Sequence, residues 1–145
     1  MQISARFTMA VHILLCIERF EGEYKLTSEF LASSINANPV IIRRLLTQLK
    51  AAGIIEVKRG SGGAATVKPL NELTLYDLYR AVDCVDGEGL FRFHDNPNPL
   101  CPVGRNIHSA LDASLTQIQA AMENEMRKIS VAQLADKCSS LIESE

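Results

Sequence analysis

Cys101 stands in the run Asn96-Pro97-Asn98-Pro99-Leu100-Cys101-Pro102-Val103-Gly104. Pro102 suits the first position of a helix, where no backbone N–H is needed, and this puts Cys101 at or beside the N-cap. A thiol there meets unpaired amide N–H groups and the positive end of the helix dipole, and Arg105 adds charge one turn on. Both favour the thiolate, the form that reacts with oxidants and electrophiles. The competing reading is a small residue in a tight loop. For a reactive Cys101, the open disulfide partners are Cys84, Cys138 and the Cys101 of a second copy. The four cysteines, Cys16, Cys84, Cys101 and Cys138, are scattered and form no CxxC pair, unlike a disulfide scaffold or a structural zinc site. His12, His94 and His108 lack the spacing of a catalytic or metal-binding set, so no enzyme and no metal are expected.

The second chemistry is phosphate recognition. Between Asn38 and Pro69 stand Arg43, Arg44, Lys50, Lys58, Arg59 and Lys68 against one acid, Glu56, in a chain of 145 residues whose formal net charge is −2. The remainder must be acidic on balance, and such segregation marks a nucleic-acid-binding face. A solvated helix beside an ordinary surface hairpin is the plainer alternative. In Arg59-Gly60-Ser61-Gly62-Gly63 the glycines permit positive φ and close backbone approach. Amides there can face phosphate while Arg59 reaches a minor groove. A nucleotide-binding phosphate loop fails, because no GK[ST] is present and no helix follows Gly63.

Local patterns show how these groups would be positioned. Ile3, Phe7, Val11, Leu14 and Ile17, widened by Ala10 and Leu15, predict an amphipathic helix from Ile3 to about Phe20. Cys16 lies beside that stripe as a buried small hydrophobe, and His12 is read as structural. Thr27 or Ser28 caps a short helix through Ser34, with Phe30, Leu31 and Ile35 inward. Asn38 caps the next helix and Pro39 fits its first position. Ile42, Leu45, Leu46 and Leu49 form its apolar stripe, Val40, Arg43, Arg44, Thr47 and Gln48 face away, and Gly53 stops it. Ile54–Lys58 and Ala65–Lys68 read as strands around a turn at Arg59–Ala64. This is a helix-turn-helix followed by a wing.

Thr74 with Asp77 resembles a capping box for a helix to about Cys84, with Leu75, Leu78, Tyr79 and Val82 buried. Asp86–Leu100 is loop-like. From Pro102 a long helix carries Val103, Ile107, Leu111, Leu115, Ile118, Met122, Met126 and Ile129 in a seam close to a coiled-coil repeat. The head is too small to cover that seam, so an exposed apolar strip and a two-fold homodimer are expected. Ser130 with Gln133 caps a last helix, Ser130–Cys138, before an acidic polar tail. The fold class is thus mainly α with a small β-wing, a winged helix-turn-helix plus a long C-terminal dimerisation helix. Residues 1–84 would be the DNA-binding domain with its supporting helix, 85–101 the loop carrying Cys101, and 102–145 the dimerisation helix and short C-terminal helix. The 47 % hydrophobic content is that of a globular protein, no apolar stretch is long enough to span a membrane, and Met1–Phe20 reads as a helix rather than a signal peptide. The chain is expected in the cytoplasm with reduced thiols.

These features resemble the Rrf-two winged-helix transcription regulators, bacterial dimers that include iron–sulfur cluster, nitric-oxide and cysteine-metabolism regulators. The resemblance is carried by Ser4-Ala5-Arg6-Phe7, by Leu45–Leu49 running into Ala52-Gly53-Ile54, and by the wing Val57-Lys58-Arg59-Gly60-Ser61-Gly62-Gly63. Leu73-Thr74-Leu75-Tyr76-Asp77 and the helix after Cys101 also match, so it covers nearly the whole chain. It implies operator binding as a homodimer to double-stranded, palindromic DNA, with the second motif helix in the major groove and Arg59 in the minor groove. The DNA-contacting set would be Ser4, Arg6, Thr27, Asn38, Val40, Arg43, Arg44, Thr47, Lys58, Arg59, Ser61 and Gly62. Cluster-binding members carry three closely spaced cysteines plus a further ligand before the dimer helix. Here that region offers only Cys101, with Cys84 upstream and His108 on the helix, so an iron–sulfur cluster is disfavoured and no cofactor is expected. Some members without clusters respond through a cysteine in this region. The expected function is a DNA-binding repressor responsive to thiol oxidation or electrophiles through Cys101. Control by a cluster, a small ligand or a partner protein is the alternative, and a protein-interaction module lies outside that class.

Overall fold

A computed structural model describes residues 3–60, 62–82 and 89–145; Ser61 and Cys84, both singled out above, lie outside the described residues. The chain order is α1 (Arg6–Phe20), α2 (Ser28–Ile35), α3 (Pro39–Ala51), β1 (Ile55–Lys58), β2 (Gly63–Thr66), a 3-10 turn (Leu70–Glu72), α4 (Leu75–Ala81), α5 (Pro102–Arg127) and α6 (Val131–Glu143). The described residues are mainly helical, with one two-stranded antiparallel sheet. Ile13, Leu14 and Ile17 of α1, Leu31 of α2, and Ile42, Leu45 and Leu49 of α3 are fully buried together. The period-3.6 stripe of α3 thus closes the three-helix head, leaving the arginines on its outer face in water.

Helix α1 begins at Arg6 rather than at the expected Ile3, with no side-chain cap, whereas local caps start α2, α3, α4 and α6 where the sequence places them. Thr27 Oγ1 accepts the Phe30 N–H at 3.1 Å and Asn38 Oδ1 accepts the Val40 N–H at 2.9 Å, each satisfying an otherwise unpaired first-turn donor. Gly53 follows the α3 cap at φ +73. Thr74 and Asp77 form a reciprocal capping box on α4, and Ser130 and Gln133 form another on α6.

The wing differs from its expected bounds. Its second strand runs Gly63–Thr66 rather than Ala65–Lys68, with Ile55 opposite Thr66 and Lys58 opposite Gly63. The reason lies outside the hairpin. Gly63 also bridges Leu26, and the Ala64 N–H donates to the Leu26 carbonyl at 3.0 Å. A Cβ on Gly63 would stand 2.5 Å from that oxygen, so only glycine lets the wing lie against the segment before α2.

Helix α4 ends at Ala81, short of the expected Cys84, with Val82 fully buried at its cap. Helix α6 runs to Glu143, past the expected Cys138, so most of the expected tail is helix. Ala132 and Ala135 pack α6 on the core, and its extra turns beyond Cys138 are exposed. The junction of α5 and α6 is stitched to the head: the Leu75 N–H donates to Ile129 O at 3.0 Å, the Val131 N–H donates to Leu73 O at 2.8 Å, and Val131 is fully buried.

Candidate nucleic-acid interface and thiol sites

Helix α3 presents Val40, Arg43, Arg44, Thr47 and Lys50 to solvent, and Val40 is 64 % exposed despite being apolar. A hollow of about 440 Å³ lies between the start of α2, the outer face of α3 and the wing. It brings together Thr27, Arg43, Thr47 and Lys58 from the expected set, and adds Lys25 and Lys50. The Lys25 ammonium donates to the Gly60 carbonyl, pinning the wing turn from outside the basic window. Nothing in sequence spacing links Lys25 to Gly60, so this contact had no local signal. Arg59 and Gly62 stand exposed at the wing tip. Ser4 and Arg6 sit together at the start of α1, where Ser4 Oγ accepts the Arg6 backbone N–H and Nε–H, each at 3.2 Å.

Several of these groups already have partners. Arg43 donates to Glu29 at 3.3 Å, and Lys58 is 3.5 Å from Glu56. The Glu29 carboxyl is held below the usual carboxylate range by its own backbone N–H first, then by Arg43 and Ser28. It places an acidic group on the lining of the otherwise cationic hollow. The side-chain oxygens of Thr27 and Asn38 serve as helix caps. The Thr47 hydroxyl donates back to the Arg43 carbonyl at 2.9 Å, leaving its lone pairs outward.

Cys101 is the N-cap of α5, with Pro102 at the first position and no side-chain cap bond. Its N–H donates to Asn98 O at 3.1 Å, and the Leu100 N–H donates to Asn98 Oδ1 at 3.0 Å. The turn closes tightly on the helix: a Cβ on Gly104 would meet Asn98 O at 2.5 Å. Cys101 itself is half-buried at this turn. Upstream, His108 Nε2 is 3.0 Å from the His94 carbonyl and the Phe93 ring lies 4.5 Å from the His108 ring, holding the loop on α5.

The intrachain Cys101–Cys138 pairing left open by the sequence is ruled out. Helix α5 is about 39 Å long, with Cys101 at its start. The segment from Lys128 to Cys138 can return at most about 25 Å, far short of disulfide reach. Cys138 instead lines a groove shared with Cys16, which is buried as expected. Among the described residues no group of three or more His, Cys, Asp or Glu side chains could hold a metal ion. Cys101 has no second thiol in its loop, and His108 is engaged by His94. Among the described residues this donor set does not supply the several convergent thiolates that an iron–sulfur cluster needs.

Comparison with known proteins agrees with this geometry. A family model described as Rrf2, iron-dependent transcriptional regulator, matches residues 3–137. The chain is 44 % identical to YwnA of Bacillus subtilis (strain 168), named as an HTH-type transcriptional regulator, over 86 % of this chain and 90 % of that one. A crystal structure named as a DNA-binding protein superposes with a TM-score of 0.69 at 35 % identity, covering 89 % of this chain and 97 % of that one. CymR of B. subtilis, named as its global cysteine regulator, shares the fold with a TM-score of 0.68 at 17 % identity, covering 94 % and 98 %. Among the described residues no helix is long and apolar enough to cross a membrane. With a winged head, a basic reading helix and a match over almost its entire length, the chain belongs to the Rrf2 family of transcriptional regulators, proteins that act on transcription and are not enzymes.

Proposed function

We propose that this regulator is a cytoplasmic homodimeric repressor that reads a palindromic operator and is released by thiol chemistry at Cys101. The observation that carries DNA reading is the cationic hollow formed by α2, α3 and the wing, with α3 exposed along its outer face. Helix α3 enters the major groove through Val40, Arg43, Arg44 and Thr47. Lys58, Gly62 and Ser61 approach phosphate and Arg59 enters the adjacent minor groove. Thr27 and Asn38 present helix N-termini to the backbone, and Ser4 with Arg6 adds a contact from the start of α1.

The homodimer is supported by α5. None of its residues is buried, and Val103, Leu111 and Ile118 are 69 %, 38 % and 51 % exposed. Only Met122 and Met126, near its end, rest on the core of the head. A second copy laid on this strip would cover it and set two heads over one two-fold site. In this division 1–84 reads DNA, 85–101 senses and 102–145 joins the protomers.

Attack of the Cys101 thiolate on hydrogen peroxide breaks the O–O bond, leaves a sulfenic acid and releases hydroxide. The added oxygen or carbon adduct would enlarge the side chain at the N-cap of α5, beside its unpaired first-turn amides, so the start of α5 shifts and the spacing of the heads changes. The test is binding to the DNA upstream of the regulator's own gene, reduced and after mild oxidant, beside Cys101→Ser. Release of the unmodified protein alone is expected. Equal binding by both proteins before and after oxidant overturns the switch. DNA binding without a steep salt dependence overturns operator reading.

A further inference from the structure

A groove of about 590 Å³ runs between α1, the end of α2 and α6, with Val11, Leu15 and Ile142 among its apolar walls. Two thiols open on it, Cys16 from α1 and Cys138 from α6, and both are free. Cys16 Sγ is 3.3 Å from Ser34 Oγ, which is itself 3.0 Å from His12 Nε2, so Cys16 is anchored at the groove floor. It is 5 % exposed, whereas Cys138 is only half-buried. Burial pushes the Cys16 thiol up, Ser34 pulls it down, and a charge on Cys138 pushes it up again. Cys16 on α1 and Cys138 on α6 therefore line one groove from its two sides. Glu18 and Arg19 flank the groove with opposite charges, leaving it without a net preference for an ion.

We propose that Cys16 and Cys138 are a second redox site, a dithiol that an uncharged low-molecular-weight disulfide entering the groove oxidises to an intramolecular disulfide. Cys138, the accessible thiol, loses its proton to solvent and attacks one sulfur of the small disulfide. The Cys138–S bond forms, the small S–S bond breaks and one thiolate leaves. Cys16 then loses its proton and attacks Cys138 Sγ, forming the Cys16–Cys138 bond and expelling the second small thiolate. Two protein thiols are oxidised and one small disulfide is reduced to two thiols. The product fastens α6, which continues from α5, to the first helix of the head. It asks nothing of Cys101, which lies beyond reach at the far end of α5.

The experiment uses the full chain carrying Cys84→Ser and Cys101→Ser, incubated with 2-hydroxyethyl disulfide and followed by intact mass and peptide mapping. The expected course is a transient mixed disulfide on Cys138, then a species about 2 Da below the reduced chain whose map joins the peptides of Cys16 and Cys138. Cys16→Ala should arrest the reaction at the Cys138 adduct, and Cys138→Ser should leave the chain unmodified. A lasting Cys138 adduct in the chain that retains Cys16, or first modification at Cys16, overturns the proposal. Mapping the oxidised wild-type chain distinguishes the same outcomes without relying on a variant to fold.

Discussion

Replacing Gly63 by alanine tests the account of how the wing is held. Alanine at φ +67 costs about 1–2 kcal/mol in backbone strain alone. The new Cβ would also stand 2.5, 2.6 and 2.9 Å from the Leu26 carbonyl oxygen, carbonyl carbon and nitrogen. These are backbone atoms, so no side-chain rotation relieves the contact, and the wing must lift. Lifting sacrifices the Ala64 N–H to Leu26 carbonyl bond, worth about 1 kcal/mol net. The expected loss is about 3 kcal/mol, or a fall in Tm of roughly 6–12 °C for a chain of this size. Gly60→Ala is the control, because Gly60 also has positive φ, at +89, but nothing lies within 4 Å of its added Cβ. It should lose only the strain cost. Thermal unfolding reads the first difference, and DNA titration across a salt series reads the second. Neither change alters a charge, so the salt slope should hold while affinity falls more for Gly63→Ala. Equal Tm losses in the two variants would refute the claim that contact with Leu26, and not turn geometry alone, sets the wing.

The other expectations follow from charge and exposure. Glu29→Gln removes a negative charge paired with Arg43 on the proposed DNA face, so operator affinity at low salt should rise by roughly 3–10-fold; anisotropy titrations showing no gain would take Glu29 off that face. Leu111→Glu with Ile118→Glu places charge on the exposed strip of α5. Light scattering should then report a monomer whose circular dichroism keeps the wild-type helical content, whereas a persisting dimer would mean that another surface joins the protomers. Burial lifts the Cys16 thiol above its ordinary value of 9.0, among His12, Glu18, Arg19 and Cys138 around the groove. Its contribution to stability is complete below that ordinary value and is lost as pH rises through the higher folded one. Denaturant melts of the reduced chain should therefore weaken across the alkaline range, and Cys16→Ala should flatten that decline.

Sequence alone was sufficient wherever the deciding contact lies within about four residues. Thr27, Asn38, Thr74 with Asp77, and Ser130 with Gln133 each cap a helix by a local hydrogen bond. The spacing of Ile42, Leu45, Leu46 and Leu49 likewise determined which side of α3 is buried, and Pro102 after Cys101 located the start of α5. The family was legible for the same reason, since its motifs are runs of adjacent residues. Tertiary structure alone decided what depends on distant backbone meeting. Strand β2 begins at Gly63 because Leu26 lies against it, and Lys25 joins the proposed DNA face because its ammonium reaches Gly60. Glu29 intrudes on that face through Arg43, although the two are far apart in the chain. Helix α6 runs past its expected end, and its placement beside α1 sets Cys138 on the groove that Cys16 also lines, away from Cys101. No periodicity encodes such pairings, because they are settled by which buried faces fit together and by the length of the helix that separates the thiols.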